Sequence, residues 1–373
     1  MTDLRFKTFG NTKDKISSIG LGTGTGFGYI DKKTDQQLVY VLQKALDLGV
    51  NFFDTAEVYF DGHSEKIIGK AFKKRREKAF IATKFLPENS GYKELLKAAD
   101  ESLKRLQVDY IDLYQIHWSN PIVPVRETLK ALERLVKKGK IKYLGVCNFS
   151  IRQLKEIRKF SKIPIASLQS EYNLLERSAE LDLIPFCEKN KMSFIAYTPL
   201  NSGNILKKEK NIKMFSNLSG KYGKTATQII LNYLIQHPNV IAIPATTNIV
   251  HLMENIKAND FTLEKQDLKI LKKIFTPKLI YIDTGKIKVA YTRDHAVYKT
   301  LKEALENKLN FFPSPEMLSD DIKKGDFLKA VKVRKLKKID GIFEYELLGG
   351  RIRYWAWVIA HRTSKPIPAI VEE

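Results

Sequence analysis

Four residues of this sequence, Asp54, Tyr59, Lys84 and His117, combine a carboxylate, a phenol, an ammonium group and an imidazole. Asp54 ends a short apolar run and Tyr59 follows five residues later, whereas Lys84 and His117 end the next two apolar runs, IATK and IDLYQIH. Residues at the exits of successive strands lie near one another. Together these four groups could move a proton onto a carbonyl oxygen.

Each group has a distinct part in such a proton transfer. A free tyrosine has a pKa of about 10, which is too high for a good general acid–base group near neutral pH. The Lys84 ammonium would stabilise the phenolate of Tyr59 and lower its pKa, and Asp54 would keep Lys84 charged and oriented. His117 would donate a hydrogen bond to the substrate carbonyl or relay a proton. The set predicts a site that polarises a carbonyl while a cofactor delivers a hydride.

Taken one at a time, these residues have ordinary structural explanations. Asp54 could cap a turn and Tyr59 could pack against the core. Lys84 could face solvent, and His117, beside Trp118, could be a core histidine with satisfied hydrogen bonds. The combination of the four types at consecutive strand ends favours the catalytic interpretation.

The segments that must position these residues alternate between strand-like and helix-like patterns from Ser18 to about Lys257. Helix-like segments such as YKELLKAADESLKRL place apolar residues at helical spacing on one face and charged residues on the other face. Eight strand-then-helix units in about 240 residues predict an α/β fold, a parallel (β/α)8 barrel. A doubly wound open sheet is the competitor, but it needs fewer strands and a glycine-rich phosphate turn, to which GLGTGTGFG is a weak match. The strand-like runs are SIGLG, VNFFDT, AFIATKF, YIDLYQIH, YLGVCNF, IASLQSE, SFIAYTP and VIAIPAT.

Polar residues end most of these runs. Functional side chains of a (β/α)8 barrel sit at the C-terminal ends of its strands. We therefore expect the run-ending residues to surround one mouth, together with Tyr59. They are Asp54, Lys84, His117, Asn148, Gln169, Tyr197 and Thr246.

Two further segments flank the barrel pattern. Before it, RFKTFGNTKDKISSIG alternates around Gly10 and Asn11 and predicts a hairpin that caps the barrel bottom. After it, the order β, α, α, β, β, α predicts a small α+β domain. The chain is therefore predicted to hold a barrel domain, residues 1–275, and a second domain, residues 276–373.

Composition narrows the class of protein. With 43% hydrophobic and 28% charged residues, the 373-residue chain reads as a soluble globular protein. No apolar run of about 18 residues occurs and the start lacks an apolar signal core, so neither a membrane span nor secretion is expected. Cys147 and Cys187 have no metal-like spacing, which favours the reducing cytoplasm and no metal site. The net charge of +22 is spread out, +6 in residues 276–373 and +16 elsewhere, as in a solvated surface with weak attraction to anions.

The sequence around the four groups resembles a known family. FFDTAEVY…SEKIIGKAF resembles the signature of the aldo-keto reductases, and Asp54, Tyr59, Lys84 and His117 match that family's catalytic tetrad. The similarity continues through RLQVDYIDLYQIHW, GKIKYLGVCNFS, SLQSEYNLLER and TTNIVHLMENIKA, to about residue 275. The resemblance implies a (β/α)8 barrel and the NADPH-dependent reduction of aldehydes or ketones, or the reverse, with Tyr59 as general acid–base.

The same resemblance implies where NADP(H), or NAD(H), would bind. Asn148 and Gln169 look like the ligands of the nicotinamide carboxamide, and both side chains can donate and accept hydrogen bonds. Tyr197 looks like the ring that stacks on the nicotinamide. Residues near the nicotinamide or along the pyrophosphate would be Gly22, Thr23, Asp54, Thr198, Pro199 and Leu200. The 2′-phosphate and adenine would be held by Ile243, Pro244, Thr246, Thr247, Asn248, His251, Glu254 and Asn255.

Some positions depart from the family pattern. The glycine that usually follows the tetrad tyrosine is Phe60 here, with Gly62 displaced. Asn248 and His251 stand where a cation usually binds the 2′-phosphate, although phosphate recognition favours Arg or Lys. We therefore expect a weaker preference for NADPH over NADH than the family norm. The residues expected to shape the substrate pocket are Trp118, Asn120, Asn201 and Ser202. They do not identify the substrate, and a sugar or nucleotide-linked sugar is one candidate.

The tail segment YELLGGRIRYWAW, after SPEMLSDDIKKGDFLKAVKV, resembles the ParB/sulfiredoxin-like fold. That resemblance implies a nucleotide or phosphate site at a helix start, where anions bind well, formed by Gly349, Gly350, Arg351 and Arg353. The sulfiredoxin-like cysteine is absent and few residues follow Arg362, so sequence-specific DNA binding is not expected. The alternative for this helix is a structural role, in which Trp355, Trp357, Val358 and Ile359 pack in the core of the domain. The alternative for the domain is that it covers the barrel mouth or docks a partner.

Two classes of function stay open on the sequence. The first is a cytoplasmic NAD(P)-dependent reductase of a small carbonyl substrate. The second is a sensor or regulatory protein that binds NADP(H) in the barrel and a nucleotide or partner through the tail. The complete set of four polar groups favours the first.

Overall fold

The computed structural model describes residues 4–24, 32–207, 209–275, 279–289, 298–311, 313–326, 329–362 and 364–371. The chain divides into two units, residues 1–275 and 276–373. The residues at the boundary, 276–278, and part of the glycine-rich stretch, 25–31, lie outside the described residues. Among the described helices, none has the length and apolar character needed to cross a bilayer.

The first unit begins with an antiparallel hairpin, β1 (Phe6–Thr8) and β2 (Lys15–Ser17). Phe9, in the connecting turn, is fully buried, and its ring centroid lies 4.8 Å from that of Phe80 at the start of a barrel strand. Gly10 has a φ of 54°, and a Cβ at this position would lie 2.4 Å from the carbonyl oxygen of Ala166. The predicted hairpin cap is therefore confirmed, and only glycine fits its turn.

Eight parallel strands form one curled sheet whose order follows the chain. The sheet closes because Gly20 N donates to Ala242 O at 2.8 Å and Ala242 N donates to Ser18 O at 3.0 Å. The predicted (β/α)8 barrel is confirmed, and the doubly wound sheet is excluded because an open sheet has two edges. The strands are β3 (Leu21–Gly22), β4 (Phe52–Asp54), β5 (Phe80–Phe85), β6 (Ile111–Ile116), β7 (Ile141–Cys147), β8 (Ile165–Glu171), β9 (Ser193–Tyr197) and β10 (Val240–Ala242).

The barrel strands form because their sequences are nearly continuous apolar runs. Every residue of β5 and β6 is buried, as expected for parallel strands that are covered on both faces. The exceptions within these runs are polar residues such as Lys84 and Gln115, which are fully buried all the same. Burial of a charge requires a partner, so these residues point to a built site inside the barrel.

Helices follow the strands and cover the barrel. In one of them Leu129, Leu132 and Leu135 recur at a spacing of three and are buried, which fixes the face that packs on the sheet. Gly139, beyond its end, has a φ of 69°, the left-handed conformation in which glycine often ends a helix. The helices are α1 (Lys32–Asp47), α2 (His63–Phe72), α3 (Tyr92–Leu106), α4 (Val125–Lys137), α5 (Ile151–Phe160), α6 (Leu183–Lys189), α7 (Glu209–Tyr222), α8 (Ala226–Ile235), α9 (Ile249–Ile256) and α10 (Lys265–Ile274).

In its described residues the second unit has three α-helices and a five-stranded sheet, whose strands lie side by side in the order Leu279–Ile282, Ile367–Val371, Val331–Asp340, Phe343–Gly349 and Ile287–Lys288. Trp355 and Val358 are buried in its core, where Trp355 Nε1 donates to Tyr298 O at 2.9 Å, while Trp357 and Ile359 are half-buried. The predicted order of elements was incomplete, because it had one strand before the first helix where the structure has two, Leu279–Ile282 and Ile287–Lys288, and it lacked the strand Ile367–Val371. The elements are β11 (Leu279–Ile282), β12 (Ile287–Lys288), α11 (Leu301–Leu305), α12 (Pro315–Lys323), β13 (Val331–Asp340), β14 (Phe343–Gly349), α13 (Arg351–His361) and β15 (Ile367–Val371).

Candidate active site

The four predicted catalytic residues lie together at the C-terminal ends of β4, β5 and β6. Lys84 Nζ donates to Asp54 Oδ1 at 2.6 Å and to Thr55 O at 2.8 Å, and it lies 3.3 Å from Tyr59 Oη. The rings of Tyr59 and His117 meet edge to face with centroids 6.1 Å apart. Asp54, Lys84 and His117 are almost fully buried, and Tyr59 is half-buried. The phenol is therefore the member of the set that solvent reaches.

The ionisation of Tyr59 differs from the sequence-based expectation. Burial raises the pKa of Tyr59 above its usual value of 10, and the Lys84 ammonium opposes this rise without reversing it. The expectation of a lowered pKa was thus wrong in its net direction, because loss of hydration by the phenolate outweighs its attraction to Lys84. Tyr59 is accordingly protonated at neutral pH, which is the form that can give a proton to a carbonyl oxygen.

Lys84 keeps its charge inside the barrel. Burial by itself would lower the pKa of Lys84, but its interactions with Asp54 and, to a lesser extent, with Tyr59 and Cys147 together raise the pKa above its usual value. A buried ion pair is stable only where the geometry is good and further hydrogen bonds satisfy both groups. Here the carbonyl of Thr55 and the amide of Gln169 supply them.

His117 is a neutral hydrogen-bonding group. Burial and the nearby Lys84 lower the pKa of His117 to about 2. Trp118 stacks on its ring at a centroid distance of 3.7 Å, and within the described part of the chain His117 Nδ1 has no hydrogen-bond partner. Of the two roles considered for His117, this favours a hydrogen bond to the substrate carbonyl over a proton relay through an imidazolium.

Among the residues predicted to hold the nicotinamide, Gln169 contacts the Asp54 carboxylate and the others lie at the ends of other barrel strands. Gln169 Nε2 donates to Asp54 Oδ2 at 2.8 Å, and Tyr197 Oη donates to Asn148 Oδ1 at 2.9 Å. Thr23 N donates to Asp54 O at 2.9 Å, next to Gly22 at the end of β3. Gln169 Oε1 has a weak contact, 3.8 Å from the thiol of Cys147, and can still accept from an amide. These side chains fit a carboxamide group, which both donates and accepts.

The segment after β9, which was predicted to lie along the pyrophosphate, contains several residues in the left-handed region. Thr198, Asn201 and Ser202 have φ values of 51°, 47° and 51°, and they flank Pro199 and Leu200. Left-handed residues among right-handed ones turn successive N–H groups toward one point, where they can meet a phosphate. Two amides of this segment are used within it, because Asn201 N donates to Thr198 O at 3.0 Å and Gly203 N donates to Leu200 O at 2.9 Å. The pyrophosphate position stays a prediction.

The region predicted for the 2′-phosphate and adenine lies after β10, where Ile243, Pro244, Thr246 and Thr247 lead to α9. Asn248 caps this helix, since its Oδ1 accepts from Val250 N at 2.8 Å. His251 is exposed in the first turn, Asn255 is buried, and the Glu254 carboxylate accepts from Thr225 Oγ1 at 2.6 Å. The polar groups that an anion meets at this end are helix amides and His251.

Two residues near the tetrad were not predicted from the sequence. Gln115 Nε2 lies 3.4 Å from Asp54 Oδ2, and the buried thiol of Cys147 lies 3.3 Å from Asn148 Nδ2. Gln115 could have been found, because it precedes His117 by two residues and so shares its face of the strand. Among the predicted pocket residues, Asn120 uses its side chain within the loops, donating to Pro87 O at 2.8 Å.

In the second unit, the residues predicted to bind phosphate lie at the start of α13. Gly350 has a φ of 83°, and no side chain caps the helix. Arg353 Nη1 donates to the carbonyl oxygens of Lys329 at 2.7 Å and Ala330 at 3.1 Å. Gly349 and Arg351 flank Gly350 in the same turn. The guanidinium of Arg353 is therefore occupied by backbone, which the sequence did not indicate.

Comparison with known proteins shows the family of this chain. The aldo/keto reductase family model matches residues 18–275, and the chain belongs to that family. It is 33% identical over 263 residues to methylglyoxal reductase YeaE of Escherichia coli (strain K12), covering 70% of this chain and 92% of that protein. A crystal structure of a thermostable aldo-keto reductase with the inhibitor epalrestat is 40% identical, with a TM-score of 0.69 over 73% of this chain and 100% of that one.

A second solved structure is that of an aldo-keto reductase from Klebsiella pneumoniae in complex with NADPH. It is 32% identical, with a TM-score of 0.68 over 74% of this chain and 96% of that one. Family membership confirms the predicted class, an NAD(P)-dependent oxidoreductase, and does not favour the sensor alternative. The family model ends at residue 275, so residues 276–373 lie outside its match.

Proposed function

We propose that this chain reduces a small aldehyde or ketone to an alcohol with NADPH, and catalyses the reverse reaction. The observation that carries the proposal is the buried Lys84–Asp54 pair, 2.6 Å apart, placed 3.3 Å from the Tyr59 phenol. Burying two charges is costly, and a protein that only bound a nucleotide would not need a charged pair aimed at a phenol. The NADPH complex of a 32% identical relative supports the cofactor.

The proposed mechanism assigns one step to each residue. The bound cofactor supplies a hydride, a proton with two electrons, to the carbonyl carbon. Tyr59 transfers its phenolic proton to the carbonyl oxygen, and Lys84 stabilises the resulting phenolate. Asp54 holds Lys84 in place, and neutral His117 donates a hydrogen bond to the same carbonyl oxygen. Tyr59 then regains a proton from solvent, which its half-buried position allows.

Asn148, Gln169 and Tyr197 would orient the nicotinamide for this transfer. Gln169 is fixed by its bond to Asp54 and Asn148 by its bond from Tyr197, so neither amide is free to rotate. Preorganised groups lower the cost of ordering the cofactor. Successive left-handed residues after β9 would receive the pyrophosphate, and α9 would receive the 2′-phosphate.

A small dicarbonyl such as methylglyoxal is the substrate class we favour. The E. coli relative at 33% identity is named for methylglyoxal. The stack of Trp118 on His117 provides an apolar wall beside the hydrogen-bonding imidazole. The amide of Asn120 is used within the loops, which removes one polar contact that a sugar would need. A sugar or nucleotide-linked sugar is therefore the second choice.

Fluorescence titration followed by turnover assays tests the proposal. Purified protein would be titrated with NADPH and NADH and then assayed with methylglyoxal, simple aldehydes and aldoses. We expect saturable binding and turnover of at least one aldehyde, with most turnover lost in Tyr59→Phe. Binding of a cofactor without turnover of any carbonyl would favour the sensor alternative. Absence of cofactor binding would overturn both the reductase and the sensor.

For the second unit we propose a domain of ParB/sulfiredoxin-like fold that binds a nucleotide phosphate at Gly349–Arg353. The support is the uncapped start of α13 after Gly350, where backbone amides can meet an anion. Calorimetry of the full chain with ATP, ADP or CTP and magnesium tests this, with Arg351→Ala as the weakened variant. Absence of heat with all three would overturn it. The buried free thiols Cys147 and Cys187 accord with the proposed cytoplasmic location.

A further inference from the structure

The loop that carries Tyr59 is not fixed by the sheet alone. Tyr59 lies five residues beyond Asp54, the last residue of β4. It is followed by three residues in the left-handed region, Phe60, Asp61 and Gly62, with φ values of 51°, 53° and 72°. Residues with a Cβ seldom adopt this conformation, and it persists only where surrounding contacts hold it. The contacts that hold this loop therefore decide where the phenol lies.

Glu57 supplies such contacts on the side of β5. Glu57 Oε1 accepts from Leu86 N at 2.5 Å and from Asn89 Nδ2 at 2.8 Å, and Glu57 N donates to Lys84 O at 3.1 Å. Its side chain is only 10% exposed. Hydrogen bonds to an ionised carboxylate are stronger than those between neutral groups, and burial protects them from water. Glu57 thus ties the Tyr59 loop to the one-turn helix Pro87–Ser90 after β5.

Asn120 contacts the same one-turn helix from the next loop along the barrel. Asn120 Nδ2 donates to Pro87 O at 2.8 Å, while its Oδ1 accepts from Ile122 N at 2.9 Å and from Val123 N at 3.3 Å. Asn120 lies three residues beyond His117, in the loop after β6. The helix Pro87–Ser90 is therefore held by Glu57 on one side and by Asn120 on the other.

We propose that Glu57 and Asn120 are positioning residues which, through Pro87–Ser90, fix the loop of Tyr59 relative to the loop that follows His117. The inference rests on the proposed function, since its purpose is to hold the phenol and the imidazole around one carbonyl oxygen. In the described structure neither side chain hydrogen-bonds to a tetrad side chain; both bond instead to the segment Leu86–Asn89. We call the hydrogen bonds of Glu57 and Asn120 to the segment Leu86–Asn89 the brace. A displacement of about 1 Å between reacting groups can lower the rate on the order of a hundredfold, so holding the two loops in place matters for turnover.

Kinetics of four variants test the brace. Glu57→Ala and Asn120→Ala should each lower kcat about tenfold, with the NADPH Kd changed less than about twofold, because Asn148, Gln169 and Tyr197 lie elsewhere on the mouth. The double variant should also lose about tenfold rather than about a hundredfold, since both act through one element. Glu57→Gln keeps an acceptor for Leu86 and Asn89 and should recover most of kcat. Multiplicative losses in the double variant would overturn the proposal.

The matched control is Glu88→Gln. Glu88 is an exposed carboxylate within the same one-turn helix, and the described structure shows no ion pair for it. Its replacement removes one carboxylate charge from this region and leaves the hydrogen bonds of Glu57 and Asn120 intact, so kcat should not change. A loss of kcat equal to that of Glu57→Ala would mean that charge in this region, and not the hydrogen bonds of Glu57, matters.

Hydrogen exchange measured by mass spectrometry tests the brace without using turnover. Glu57→Ala should speed the exchange of amides in residues 118–123 at least threefold, although Glu57 makes no direct bond to that loop. Unchanged exchange in residues 118–123 would overturn the proposal even if kcat falls. If the wild type turns over no carbonyl while the exchange of 118–123 responds, the proposed function fails and the brace stands.

Discussion

The side-chain amide of Gln169 donates a 2.8 Å hydrogen bond to Oδ2 of Asp54, the carboxylate whose other oxygen accepts from Lys84 at 2.6 Å. Gln169, which we propose holds the cofactor, and Lys84, which we propose controls the proton donor, are thus joined through one buried carboxylate. The bond fixes Gln169 with its Oε1 as the remaining acceptor. If Gln169 holds the nicotinamide as we propose, cofactor binding and the charge state of the tetrad are coupled through Asp54.

Gln169→Glu should weaken cofactor binding in a pH-dependent way. The change puts a second carboxyl group against Asp54, and like charges at this distance raise the pKa of the pair. We expect the NADPH Kd at pH 7 to rise at least about tenfold, and to recover in part near pH 5 as the new carboxyl group is protonated. Fluorescence titration at both pH values measures this. Gln107→Glu, at an exposed position, is the control; an equal Kd at both pH values in Gln169→Glu would contradict the coupling.

Lys84→Met should reduce both turnover and stability. It leaves Asp54 buried without its cation, and breaking a buried pair from one side costs about 3–5 kcal/mol of unfolding free energy. Turnover should fall because the phenolate of Tyr59 loses its neighbouring charge. Urea unfolding of the variant and of Lys97→Met, at an exposed site, gives the comparison; the control should stay within about 0.5 kcal/mol of wild type. Equal stability of the two variants would show that the pair is not buried as described.

The pH dependence of the two reaction directions should be opposite. Reduction needs protonated Tyr59, and since burial raises the pKa of Tyr59, kcat for reduction should stay level to about pH 9 and fall at higher pH. Oxidation of the alcohol needs the phenolate, so the kcat for oxidation should rise with pH where the kcat for reduction falls. Because the pKa of His117 is lowered to about 2, its protonation should produce no step near neutral pH. A step near pH 6.5 in the reduction profile would contradict this assignment.

The preference for NADPH over NADH should be modest. Asn248 is used as the cap of α9 and His251 is the exposed side chain in its first turn, so helix amides rather than a cation would meet the 2′-phosphate. We expect a kcat/KM ratio below about 100, or roughly 2.7 kcal/mol. His251→Arg should raise the ratio, whereas His251→Gln should not. A wild-type ratio above about 100 would reject this prediction.

The sequence predicts the barrel well because parallel strands covered on both faces read as continuous apolar runs. Each of the eight runs became a barrel strand, and the polar residue that ends each run places Asp54, Lys84 and His117 at one mouth. The N-terminal hairpin of β1 and β2 was equally predictable, since Gly10 interrupts an alternating pattern of apolar and polar residues. Local sequence therefore determines most of the architecture of the first unit.

Features that depend on tertiary contacts were not predictable. The strand β15 was missed because Pro368 lies within it, and proline usually marks an edge or a loop; here β15 lies between β11 and β13. The sequence indicated that Lys84 neighbours Tyr59 but not how deeply the phenol is buried, and burial decides the direction of its pKa. The contacts of Glu57 and Asn120 join loops that are about 30 residues apart in sequence, which no local pattern reveals.

The most direct test of the catalytic assignment is single-turnover reduction of methylglyoxal by NADPH-loaded wild type and Tyr59→Phe. The phenylalanine keeps the ring and removes only the hydroxyl that lies 3.3 Å from Lys84. We predict an unchanged NADPH Kd and a rate of hydride transfer lower by about 10²–10⁴, the usual contribution of a general acid. Hydride transfer at the wild-type rate in Tyr59→Phe would contradict the account.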